Sequence, residues 1–94
     1  MTVAQHWRTA EVLELVAAER DRQRVKWATP HGWGRGDCST LDPPDDRVKL
    51  AVLAEEFGEV ARALLEHDRD GLAAELVQVA AVCVAWLEAV LPNE

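Results

Sequence analysis

Apolar residues recur at helical spacing in three stretches of the chain, and no run alternates with period two, so the pattern predicts helices and no strand. Thr9 can cap the first helix, which places Glu11 in its first turn and runs over 9–27. Its inward stripe starts apolar, with Val12 and Val16, then turns polar with Arg20 and Gln23 and ends on Trp27. Residues 28–46 form a loop that holds Pro30, Pro43, Pro44, Gly32, Gly34 and Gly36. The second helix, over 46–67, carries Leu50, Leu53, Phe57, Val60 and Leu64 on one stripe. The turn His67-Asp68-Arg69-Asp70-Gly71 is short, so the third helix, over 71–91, must return antiparallel to the second.

This third helix is apolar almost all round, which implies burial on more than one side. Ninety-four residues make a single domain, 1–94, and 49% of them are apolar, more than so small a monomer buries well. The fold expected is therefore all-α: three main helices with an antiparallel αα-hairpin, in an oligomeric bundle. A homodimer or homotetramer is the simplest way to cover the third helix.

A net charge of −7 and the lack of a basic run argue against a nucleic-acid duplex as partner. A small anionic ligand stays compatible if a bound cation offsets the local negative charge. Cys83 reads as a small buried hydrophobe and Cys38 lies in the loop, with no disulfide framework between them. The longest greasy stretch, Leu76 to Leu87, is too short to span a bilayer. The expectation is a soluble, cytoplasmic protein with no membrane partner. In the loop, Gly32-Trp33-Gly34-Arg35-Gly36 lacks the preceding strand and the Gly-Lys-Ser/Thr ending of a phosphate cradle, and reads as a lid carrying one aromatic. His31 and Cys38 are two isolated zinc-type ligands, too few for a site.

The candidate chemistry lies in the hairpin. Glu56 and Glu59 sit three apart in Glu55-Glu56-Phe57-Gly58-Glu59, and Glu75 and Gln78 repeat that spacing on the third helix. Counted from the turn, the two pairs match in height to about 4.5 Å at 1.5 Å per residue. For the second helix alone, a solvated face explains the glutamates equally well. That explanation fails on the third helix, where Glu75 and Gln78 are the only polar groups between Leu72 and Trp86. Buried carboxylates that repel one another call for a cation, and oxygen-only ligands favour Mg²⁺ or Mn²⁺. Glu56, Glu59, Glu75 and Gln78 are the candidate metal ligands.

On these residues the chain resembles the MazG-like, all-α nucleoside triphosphate pyrophosphohydrolases, and looks most similar to their short, phage-type members. Their pattern is Glu-Glu-x-x-Glu, then a gap, then Glu-x-x-Asp, on two antiparallel helices. Here it reads Glu55-Glu56-Phe57-Gly58-Glu59 and Glu75-Leu76-Val77-Gln78, with looser similarity over Glu19 to Trp27. Gln78 stands where the family has Asp, and brings an amide oxygen but no charge.

The resemblance implies Mg²⁺-dependent hydrolysis of a nucleoside triphosphate to its monophosphate and pyrophosphate. It implies catalytic roles for Glu55, Glu56, Glu59 and Glu75, with Glu55 or Glu59 taking a proton from the attacking water. The polar end of the first helix would bind substrate. There Trp27 stacks on a base, Gln23 reads its edge, and Lys26 or Arg20 neutralises phosphate. The alternative is that Trp27 caps the core while Arg20 pairs with Glu56 or Glu59. Two other functions stay open: a catalytically weakened nucleotide- and metal-binding module, favoured by Gln78, and a purely structural helical dimerisation module.

Overall fold

The computed structural model describes residues 8–26 and 46–92. These form three α-helices and no strand: α1 (Thr9–Lys26), α2 (Asp46–Leu65) and α3 (Arg69–Val90). α3 is the central element, packed against α2 on one flank and α1 on the other. The expected loop lies outside the described residues, as do Trp7, Trp27, His31, Trp33 and Cys38.

The turn between α2 and α3 is tighter than its sequence suggests. His67 adopts φ 55°, and the Asp68 and His67 N–H groups donate to Ala63 O at 3.0 Å and Leu64 O at 3.2 Å. This is a Schellman closure with histidine in the left-handed position that glycine usually fills. Asp68 then caps α3, accepting from Gly71 N through Oδ1 at 2.9 Å. α3 therefore starts at Arg69, two residues earlier than its composition implies, and α2 stops at Leu65. A Cβ at Gly71 would run into the Asp68 carboxylate, with Cγ at 2.7 Å, which explains a glycine inside the first turn. At the far end, the Trp86 indole Nε1 donates to Asp46 Oδ1 at 2.8 Å, tying the end of α3 to the start of α2.

The buried apolar set is small: Val16, Val52, Ala63, Ala81, Val82 and Ala85. Val52 and Val82 meet at its centre, with Val48 and Leu53 packed around them. The face that α2 turns inward thus runs through Lys49, Val52, Glu56 and Ala63, which corrects the expected stripe in part: Leu53 packs against the core and Val60 is half-buried. Leu50, Phe57 and Leu64 are each more than half exposed. The same correction applies to Val12 on α1, which is exposed while Val16, Arg20 and Gln23 are buried.

The length argument about α3 also changes. As one helix of 22 residues containing an 18-residue window of mean hydropathy 1.7, it is long and apolar enough to cross a membrane by length and composition alone. The central helix of a small helical protein passes the same test, and α3 carries Glu75, Gln78 and Glu88 on the flanks that meet α1 and α2.

Candidate metal centre

Antiparallel packing brings Glu56 of α2 and Glu75 of α3 into electrostatic contact, although they are far apart in sequence. Both residues are half-buried, and Oε2 of each is shut off from solvent with no hydrogen-bond donor among the described residues. The Glu56 carboxyl titrates above its ordinary range. Burial is the main cause, the Glu75 charge adds to it, and Glu55 and Glu59 contribute further. Lys26, at the end of α1, pulls in the opposite direction and so lies within electrostatic reach of Glu56.

The other sequence candidates take different positions. Glu55 is exposed. Glu59 lies at the edge, with one oxygen 3.5 Å from Arg62 Nη1. Gln78 is half-buried, one turn beyond Glu75. Among the described residues, no group of three or more His, Cys, Asp or Glu side chains is close enough to enclose an ion. The structure places both Glu75 and Glu59 within electrostatic reach of Glu56.

On α1, Gln23 is only 3% exposed, and its Oε1 is buried without a donor among the described residues. Arg20 is bound to Glu88 of α3. Its Nε and Nη2 both bond Glu88 Oε1 at 2.9 Å, while Arg24 Nη2 holds Glu88 Oε2 at 3.1 Å. This double clamp fixes α1 to α3, and Glu88 belonged to no candidate set. Lys49 was missed as well. It is fully buried, on the same arc of α2 as Val52 and Glu56, and it is not without a partner. The signal was available on the helical wheel, since residues seven apart fall within about 20° of each other.

The donor set suits a hard divalent cation. Two buried carboxylate oxygens that repel each other and lack donors are stabilised together by one positive charge. A pH dependence follows from the raised Glu56 value. The folded state binds a proton more tightly than the unfolded chain, so stability falls as pH rises from the ordinary glutamate range through the raised folded value. The expected result is a melting temperature that drops across that window in chelator, with Glu56→Gln flattening the drop. Equal slopes in wild type and variant would refute it.

Compared with known protein families, curated proteins and solved structures, the chain has no match.

Proposed function

We propose that this chain is a Mg²⁺- or Mn²⁺-dependent nucleoside triphosphate pyrophosphohydrolase, converting a ribo- or deoxyribonucleoside triphosphate and water to the monophosphate and pyrophosphate. One observation carries the proposal: Glu56 Oε2 and Glu75 Oε2 are buried, with no donor among the described residues, on the two antiparallel helices of the hairpin. The acid motif on that hairpin, resembling the MazG-like pattern, supplies the reaction class.

A divalent cation held there would offset phosphate charge and make a water molecule more acidic. Glu56 and Glu75 would hold it, joined by Glu59 once it leaves Arg62, and by the amide oxygen of Gln78. Glu55, exposed beside the pair, or Glu59 takes the proton of the attacking water. Lys26 neutralises phosphate, and Gln23 offers its buried oxygen to an N–H donor on the base. Arg20, which also holds Glu88, is the other candidate for that phosphate role.

The test is pyrophosphate release from a panel of ribo- and deoxyribonucleoside triphosphates, with Mg²⁺ or with chelator. Release that needs Mg²⁺ supports the proposal. Binding of nucleotide with no release at any Mg²⁺ concentration replaces it with the binding-module reading, which the uncharged Gln78 favours. No effect of either cation or nucleotide leaves the structural module. Gln78→Asp restores a fourth charge and is expected to lower the Mg²⁺ concentration for half-maximal rate by about tenfold, the equivalent of ~1.4 kcal/mol. An unchanged or higher requirement would remove Gln78 from the ligand set.

A further inference from the structure

The three helices leave apolar side chains uncovered at Val12, Leu13, Leu15 and Val25 of α1 and Leu65 of α2, and a further set gathers on one arc of α3. Along α3, Ala73, Leu76, Ala80, Cys83, Leu87 and Val90 alternate in steps of four and three. They fall within about 100° of one another on the helical wheel. That arc lies opposite Ala81, Val82 and Ala85, the residues buried against α1 and α2. Leu76, Leu87 and Val90 are each about half exposed. Cys83, Trp86, Leu87 and Val90 enclose a shallow apolar hollow of about 230 Å³. Their positions i, i+3, i+4 and i+7 are the four corners of a hole that receives a knob from a facing helix in coiled-coil packing.

The exposed stripe of α2, Leu50, Phe57 and Leu64, lies on the same side of the hairpin. This follows from the handedness of two antiparallel helices that meet through Val52 and Val82. The combined face is about 30 Å long and two helices wide, comparable to the ~800 Å² per partner of a stable interface.

We propose that this face binds a second copy of the chain, with α3 antiparallel to its counterpart about an axis between Ala81 and Val82. In that register Leu76 of one copy enters the hollow around Leu87 of the other, Ala80 meets Cys83, and Ala73 meets Val90. All six seam positions are used, and every alanine faces a larger side chain. A parallel seam would stack Ala73 and Ala80 on themselves and leave gaps. Antiparallel helix dipoles also favour the arrangement. No charged residue lies on the seam, so the −7 net charge stays outside it. A bilayer is the poorer occupant: the face is a shaped seam, α3 is clamped to polar α1 through Glu88, and anionic lipid repels an acidic chain. The proposal is independent of the chemistry at Glu56 and Glu75.

The test combines mass and cross-linking on the full chain. Light scattering is expected to return at least twice the chain mass at micromolar concentration, and Leu87→Glu to weaken association by about 100-fold. In a Cys38→Ser, Cys83→Ala background, Leu76→Cys together with Leu87→Cys is expected to give a disulfide-linked dimer on mild oxidation. Leu76→Cys alone is expected to give none, because its counterpart lies about 16 Å away along the axis. A monomer overturns the proposal, including one that floats with lipid vesicles. So does cross-linking through Leu76→Cys alone, or a dimer in which the double variant fails to cross-link. The cross-linking arm does not depend on Leu87→Glu staying folded.

Discussion

Replacing Glu75 with glutamine is expected to lower Mg²⁺-dependent pyrophosphate release by about 10²- to 10³-fold and, in the same protein, to raise the metal-free melting temperature. The two effects have one cause. Glu75 holds a buried oxygen with no donor among the described residues, next to the Glu56 carboxylate, and its charge makes Glu56 harder to keep ionised. Without a cation that repulsion opposes folding, so an uncharged isostere relieves it. With a cation the same two charges bind it, and the isostere forfeits half of the anchor. Wild type should therefore gain several degrees from Mg²⁺ or Mn²⁺, while Glu75→Gln gains almost none. Thermal melts with chelator and with cation, alongside pyrophosphate assays, separate the outcomes. A Glu75→Gln protein with wild-type turnover and a wild-type Mg²⁺ shift would end the metal reading.

Glu88→Ala is expected to be the most destabilising single change outside the small apolar core. It removes the carboxylate that both Arg20 and Arg24 bond, and the Arg20 side chain is 4% exposed. Breaking a fully buried pair from one side costs ~3–5 kcal/mol. Glu88 is about one-third exposed, so water recovers part of that, and about 2 kcal/mol is the expected loss. For a domain of this size the shift is roughly 10 °C in melting temperature. Asp21→Ala removes only the surface bond to Arg24 on the same helix and should shift it by less than about 2 °C. Equal effects for the two variants would show that the clamp does not secure α1. Loss of Mg²⁺ response in a folded Glu88→Ala protein would show instead that it positions α1 over the carboxylates.

The three helices and the hairpin were legible in the sequence because the signals that set them are local. Thr9 begins a helix, His67 to Gly71 make a turn too short for anything but an antiparallel return, and Pro92 follows the end of α3. The nearness of Glu56 and Glu75 was legible for the same reason. A short turn fixes the register of both helices, so counting residues from it sets their heights.

Tertiary structure alone decided which way each helix faces and which charges meet. α2 has two adjoining arcs able to face α3, one through Leu50, Phe57 and Leu64 and one through Lys49, Val52, Glu56 and Ala63. The hydrophobic effect is non-directional, and on the helical pattern alone it favours the greasier arc. The structure turns the second arc inward, where Val52 reaches Val82 and Lys49 is completely enclosed. The sequence left Arg20 open between phosphate and a pairing with Glu56 or Glu59. Arg20 bonds Glu88, 68 residues away, because α1 packs along α3 and not along α2. Partners so far apart in the chain are chosen by how whole helices dock, and no local spacing encodes that choice.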